Sequence, residues 1–183
     1  MKILIAPDSF KDCLSALEVA SALGRGMQKI LPDALITLLP MADGGEGTVE
    51  SLIDATRGEL IPVKVMDPLM REVSSLYGIA GGGETAVIEM AAASGIELLK
   101  RNERDPWITS TYGTGQLIKD ALDHGVKKIL LGIGGSATND GGVGMAQALG
   151  VQFSGKYGII SVQGGGALGE LEQIHMDGLD PRI

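Results

Sequence analysis

Apolar runs typical of strands alternate with apolar side chains at helical spacing along the first third of the chain. Residues 2–6 and 35–39 are apolar runs that predict strands, and residues 15–30 between them carry apolar side chains at helical spacing. Ser15-Ala16-Leu17-Glu18 is typical of the capping box that begins a helix. With a second helix predicted over residues 48–55, the order of elements indicates parallel strands joined by right-handed crossovers. The expected inward face of the first helix is Val19, Leu23, Met27 and Ile30.

The pattern changes after Arg57. Three strands are predicted in succession without intervening helices, at residues 60–66, 73–79 and 85–90. Strands connected by short turns indicate a more antiparallel region. We therefore expect an α/β fold in which a parallel βαβ unit is followed by a second α/β subdomain. The division falls near residue 66, with residues 1–66 in the first part and residues 67–183 in the second.

The second part continues with a helix predicted over residues 114–124 and a buried strand over residues 128–133. Residues 140–149 are expected to begin as a loop and end as a helix. Residues 153–183 are glycine-rich and weakly patterned, which is unusual at the end of a complete compact domain. We expect the fold to be truncated at its C-terminus.

Composition and charge narrow the function classes. The chain of 183 residues contains 28 glycines, about twice the usual share, without a collagen period. A net charge of −8 and an aromatic content of 3% argue against nucleic acids and anionic membranes as partners. The single cysteine, Cys13, excludes an internal disulfide and a cysteine zinc site. No apolar run is long enough for a signal peptide or a membrane span, so we expect a cytoplasmic location.

The first of three polar loops follows the first predicted strand. Asp8, Ser9 and Lys11 bring a carboxylate, a hydroxyl and an ammonium group to the end of that strand. Ligands of open α/β sheets bind just beyond the carboxyl ends of strands, so a functional role is favoured for these residues. Asp12 is equally well explained as a cap of the following helix.

The second loop, Asp43-Gly44-Gly45-Glu46-Gly47, opens a predicted helix. Its glycines can form a backbone nest that holds an anion. Because the two acids would repel bare phosphate, a divalent cation is implied. The alternative is a tight turn in which Asp43 and Glu46 cap the first turn of the helix.

The third loop runs from Gly132 to Gly144 and repeats the same Asp-Gly-Gly-x-Gly pattern at Asp140. Ser136 and Thr138 add hydroxyl groups and Asn139 adds an amide. Two such loops favour phosphoryl transfer, which depends on backbone amides, metal ligands and a lysine.

These loops match neither of two known nucleotide-binding motifs in full. No Walker A motif is present. Gly132-x-Gly134-x-x-Ala137 matches a loose dinucleotide fingerprint, but no acid follows about twenty residues later, so an NAD-linked oxidoreductase is only a secondary hypothesis. Glu89, inside an apolar run, is either a structural partner or a site residue.

The loops together resemble those of a known family. The segments that carry the resemblance are Ala6-Pro7-Asp8-Ser9-Phe10-Lys11, Met41-Ala42-Asp43-Gly44-Gly45-Glu46-Gly47-Thr48, Ile88-Glu89-Met90-Ala91-Ala92-Ala93-Ser94-Gly95 and Gly132-Ile133-Gly134-Gly135-Ser136-Ala137-Thr138-Asn139-Asp140-Gly141-Gly142. They resemble the glycerate kinase family of the bacterial glycerate 2-kinase type, in order and over the whole chain. Because members of that family are considerably longer, the resemblance is to an N-terminal portion.

The resemblance implies ATP-dependent and Mg²⁺-dependent phosphorylation of D-glycerate to 2-phosphoglycerate. It also implies that the first part of the chain belongs to a Rossmann-like α/β domain and that the site lies between two domains. The alternative from another class is a catalytically inactive remnant that survives by self-association or by pairing with a missing C-terminal half.

Each candidate residue has an expected role within that activity. The catalytic candidates are Asp8, as general base, Lys11 and Asp43. The candidates for cradling the anionic oxygens of ATP are Gly44, Gly45, Gly134, Gly135, Ser136 and Thr138. The substrate-binding candidates are Ser9, Glu89 and Asn139, and the metal candidates are Glu46 and Asp140.

Overall fold

The computed structural model describes residues 1–10, 13–42, 44–45, 47–161 and 164–183. The first four elements are β1 (Lys2–Ile5), α1 (Ala16–Ile30), β2 (Leu35–Leu38) and α2 (Thr48–Thr56). β1 and β2 pair in parallel, from Lys2 opposite Leu35 to Ile5 opposite Leu38. The expected parallel βαβ unit is therefore confirmed.

The start of α1 is set by its capping box, as expected. The backbone N–H of Ser15 donates to Glu18 Oε2 at 2.8 Å, and the Glu18 N–H donates to Ser15 Oγ at 3.3 Å. The expected inward face is only partly correct, because Val19 is buried whereas Leu23, Met27 and Ile30 are exposed. The two strands have only four residues each, and the buried residues of α1 all lie in its first part, between Ala16 and Gly24.

The second sheet has four strands, β3 (Glu59–Met66), β4 (Glu72–Ile79), β5 (Thr85–Glu89) and β6 (Lys128–Gly132). β3, β4 and β5 are antiparallel neighbours, and β6 is parallel to β5. β6 was expected to be buried, but Leu130 is half exposed because the strand lies at the edge of this sheet. The division of the chain near residue 66 stays a prediction.

Helices cover both faces of the four-stranded sheet. After α3 (Ala91–Ser94), α4 (Tyr112–Asp123) packs on one face, where Leu117 joins Tyr77 and Ile88 in the main core. On the other face, Val49 and Ile53 of α2 pack against Val87. α2 thus connects the first part of the chain to the second sheet. No helix in the described ranges is long and apolar enough to cross a membrane.

The last part of the chain has more regular structure than its weak pattern indicates. α5 (Val143–Ala148) is followed by a three-stranded antiparallel sheet of β7 (Gln152–Gly155), β8 (Gly158–Ile159) and β9 (Gln173–His175). These strands have two to four residues, which is too short to produce a detectable alternation.

Glu18→Gln should reduce the thermal stability of the chain at neutral pH. The pKa of Glu18 is held below its usual value of 4.5 by hydrogen bonds from the Ser15 N–H and then the Ser15 hydroxyl. The stabilisation is therefore present above the unfolded-state pKa and is lost as pH falls through the lower folded-state pKa. Circular dichroism melts should show a Tm difference from the native chain at about pH 7 that shrinks toward about pH 3. Glu59→Gln, an exposed position on β3, is the control; a pH-independent Glu18 effect would contradict the prediction.

Candidate active site

A cavity of about 460 Å³ opens at the carboxyl ends of β1, β5 and β6. It brings together six of the residues expected from the sequence, Asp8, Ser9, Gly45, Glu89, Gly134 and Gly135. It is also lined by four residues that were not expected, Ala91, Ala92, Glu97 and Leu98. The three polar loops after β1, β2 and β6 therefore meet at one cavity, and Glu89 joins them.

The second and third loops, which are both glycine-rich, touch through their backbones. The N–H of Gly134 donates to the carbonyl oxygen of Gly44 at 3.2 Å. A Cβ atom on Gly134 would lie 2.8 Å from the Gly45 Cα, and one on Gly132 would lie 2.5 Å from the Gly44 oxygen. Both distances are too short for any side chain, so glycine is required where the loops cross.

Glu89 has the structural role that the sequence left open, and it also lines the cavity. It ends β5, and its Oε1 accepts a hydrogen bond from the N–H of Val49 at 2.8 Å. Val49 lies in the first turn of α2, where a carboxylate is favoured by the helix dipole. The half-buried Glu89 also lines the cavity, so it couples the start of α2 to the wall of the site.

Asp8 and Ser9, which follow β1, also line the cavity. The Ser9 N–H donates to Asp8 Oδ1 at 2.7 Å, and Asp8 is exposed. An exposed carboxylate at the mouth of a cavity can reach a bound hydroxyl group, as a general base must.

Ser136, Thr138 and Asn139 lie beyond the cavity lining. The hydroxyl groups of Ser136 and Thr138 are 3.0 Å apart, and the Thr138 N–H donates to Ser136 Oγ at 3.1 Å. These two side chains stabilise the loop after β6, and Asn139 is exposed. Their expected ligand-binding roles stay predictions.

Asp140 is buried away from the cavity, and both oxygen atoms of its carboxylate accept hydrogen bonds. It accepts hydrogen bonds from the Thr111 N–H at 2.8 Å, from the Thr111 hydroxyl at 2.9 Å and from the Gly142 and Gly144 N–H groups at 3.0 and 3.1 Å. Its carboxylate thereby joins the N-termini of α4 and α5. Asp140 would have to give up these bonds in order to bind a metal, so its expected metal role stays a prediction.

Three of the expected residues, Lys11, Asp43 and Glu46, lie outside the described residues. Within the described part of the chain, no group of three or more His, Cys, Asp or Glu side chains is arranged to hold a metal ion. The expected Mg²⁺ site, which includes Asp43 and Glu46, therefore stays a prediction.

The third loop does not have the geometry of a dinucleotide fingerprint. That fingerprint needs a helix directly after the glycines. Here Ala137 pairs with Ser94 through its N–H, and α5 begins only at Val143. The geometry thus gives no support to the NAD-linked hypothesis.

The four unexpected lining residues differ in whether the sequence could have indicated them. Ala91 and Ala92 directly follow the end of β5, so the strand-end rule could have included them. Glu97 and Leu98 lie in a short 3₁₀ segment, Ile96–Leu98, which has no sequence period. Nothing in the local sequence distinguishes them as site residues.

Gly134→Ala should lower the unfolding free energy by about 1–3 kcal/mol, because the new methyl group clashes with the backbone of Gly45 rather than with a movable side chain. Urea unfolding measures this loss. Gly82→Ala is the matched control, since a Cβ atom there meets nothing within 4 Å. Equal stability of the two variants would contradict the close crossing of the loops.

Asp140→Asn should lower the unfolding free energy by about 2–3 kcal/mol in the absence of any metal, because an amide group cannot accept all of these bonds from buried donors. Asp54→Asn, at an exposed position of α2, should be close to neutral. An Asp140→Asn chain as stable as the native chain would refute the structural role.

The comparisons with known proteins agree over almost the whole chain. The model of the glycerate kinase family matches residues 3–183. Glycerate kinase of Haemophilus influenzae is 55% identical, and glycerate 2-kinase of Escherichia coli is 53% identical; each match covers 100% of this chain and 48% of the relative. A solved Salmonella typhimurium LT2 structure named for glycerate kinase 2 is 53% identical with a TM-score of 0.84, covering 100% of this chain and 49% of that one. The chain spans about half the length of the curated relatives that it matches, and it belongs to the glycerate kinase family.

Proposed function

We propose that the protein transfers the γ-phosphoryl group of ATP to the 2-hydroxyl group of D-glycerate, yielding 2-phosphoglycerate and ADP. The observation that carries this proposal is the cavity in which the carboxylates of Asp8 and Glu89 border the backbone of Gly45, Gly134 and Gly135. Its volume of about 460 Å³ accommodates a three-carbon acid and a transferring phosphoryl group. Family membership supports this reaction over other phosphoryl transfers.

Asp8 is the proposed general base. Its carboxylate takes the proton of the substrate 2-hydroxyl group as that oxygen bonds to phosphorus and ADP leaves. Ser9 and Glu89 hydrogen-bond the substrate, and Asn139 completes this set. Lys11 neutralises charge on the phosphoryl oxygens or binds the glycerate carboxylate.

The glycine loops are the proposed anion cradle. Amides of Gly45 and Gly135, with the hydroxyl groups of Ser136 and Thr138, hold the anionic oxygens of ATP. Gly44 and Gly134, which were also expected to donate, shape the cradle instead, because the Gly134 N–H donates to the Gly44 carbonyl oxygen and the Gly44 N–H donates to Thr48 Oγ1. Asp43 and Glu46 are the proposed Mg²⁺ ligands, since carboxylate oxygens are the donors that Mg²⁺ prefers. The ion supplies charge neutralisation when it is bound. Asp140 is left to its structural role because its oxygens already accept four N–H and O–H donors of the chain.

The activity of the chain is tested by measuring ADP release from Mg-ATP with and without D-glycerate. D-glycerate-dependent release, with 2-phosphoglycerate identified by ³¹P NMR, is the expected result. Release of 3-phosphoglycerate would contradict the proposed acceptor hydroxyl. A folded chain that binds D-glycerate without releasing ADP would support the alternative of an inactive remnant.

Asp8→Asn should lower kcat for D-glycerate by about 10²-fold or more with a much smaller change in KM, because the amide cannot accept the proton. Steady-state ADP release is the measurement. The control is Asp33→Asn, an exposed aspartate in the turn before β2. A variant of Asp8 with near-native kcat would remove this residue from the proposed chemistry.

A further inference from the structure

One wall of the cavity is a strap of chain formed by residues 94–103, which carries Glu97 and Leu98. One side of this strap is fastened to the loop after β6. The Ile96 N–H donates to the Gly135 carbonyl oxygen at 2.9 Å, and the Ala137 N–H donates to the Ser94 carbonyl oxygen at 2.9 Å. This side of the strap is therefore joined to the glycine loop by two backbone hydrogen bonds.

The other side of the strap is fastened by Arg71, from the turn between β3 and β4. Its Nη1 donates to Glu103 Oε1 at 2.9 Å, and its Nη2 approaches the Leu98 carbonyl oxygen at 3.5 Å. Leu98 is one of the two strap residues that line the cavity. The guanidinium group thus reaches the backbone of the cavity wall without lining the cavity itself.

Arg71 is in turn held by a buried carboxylate. Asp67 is 1% exposed, and its Oδ2 accepts from Arg71 Nε at 2.6 Å. Its Oδ1 accepts the N–H groups of Leu69 and Arg71 at 2.8 and 2.9 Å. Because Asp67 is fixed by the turn, the planar guanidinium group is fixed as well.

The contact between Arg71 and Glu103 is charge-assisted at neutral pH. The pKa of Glu103 is held below its usual value of 4.5, first by the Lys100 N–H and then by Arg71. Asp67, Arg71 and Glu103 together form what we call the clasp. It ties the buried turn of one hairpin to the far side of the strap.

We propose that Arg71 is a positioning residue that sets Glu97 and Leu98 in the cavity and thereby controls the affinity for a small hydroxy acid. The identity of that ligand as D-glycerate rests on the proposed function. Only a forked side chain can pair with Asp67 and hold the strap at the same time, so lysine cannot replace it.

Two variants open the clasp without leaving Asp67 unpaired. Arg71→Lys keeps a cation beside Asp67 but removes the fork, and Glu103→Gln keeps the shape of the strap partner but removes its charge. The matched control is Glu72→Gln, which breaks the exposed Lys64–Glu72 ion pair of the same hairpin.

Two measurements on the native chain and these variants test the proposal. Hydrogen exchange followed by mass spectrometry should accelerate in residues 96–103, where the amides of Ile96, Leu98, Leu99 and Glu103 are hydrogen-bonded. Titration with D-glycerate should give a Kd weakened by about three- to tenfold in both clasp variants. The control should match the native chain in both measurements, and the Tm of all variants should stay close to native.

Unchanged exchange in residues 96–103 in both variants, or a native Kd for D-glycerate in both, would overturn the proposal. Faster exchange over the whole chain together with a lower Tm would also overturn it, since Arg71 would then stabilise the fold in general. If the native chain binds no D-glycerate, the proposed function fails for this chain. The exchange result alone then decides the positioning role, with local acceleration in support and its absence against.

Discussion

The crossing of two glycine loops is the constraint on which the rest of the site depends. The Gly44 carbonyl oxygen accepts the Gly134 N–H, and neither Gly132 nor Gly134 has room for a Cβ atom. This contact brings the start of α2 to the end of β6, and Glu89 strengthens the same junction by accepting the Val49 N–H. The cavity exists because these backbones meet without side chains between them.

A site built this way can hold anions within an acidic protein. The chain has a net charge of −8, so carboxylates at the cavity would repel phosphate unless backbone N–H groups and a cation offset them. Asp140, which carries the second copy of the Asp-Gly-Gly pattern, shows that the same motif can have another task, since its carboxylate caps two helices away from the cavity.

The sequence predicted the parts of this structure that follow from local pattern. The capping box of α1, the parallel βαβ unit and the meeting of the loops after β1, β2 and β6 follow from hydrophobic period, capping and the strand-end rule. The sequence did not show that the Asp140 carboxylate is buried, because its hydrogen-bond partner Thr111 is distant along the chain. The exposure of Leu130 was missed because an apolar strand does not reveal that it lies at an edge. The strap was missed because a 3₁₀ segment has no period and Arg71 joins it only through tertiary contacts.

The crossing glycine loops form the surface that is proposed to hold the acid. Amide NMR spectra of the ¹⁵N-labelled chain during titration with D-glycerate test this proposal most directly. Saturable shifts of the Gly45, Gly134 and Gly135 amides are expected, with the Gly82 and Gly169 amides unmoved. Saturable shifts confined to other parts of the chain, or none at all from a folded chain, would contradict it.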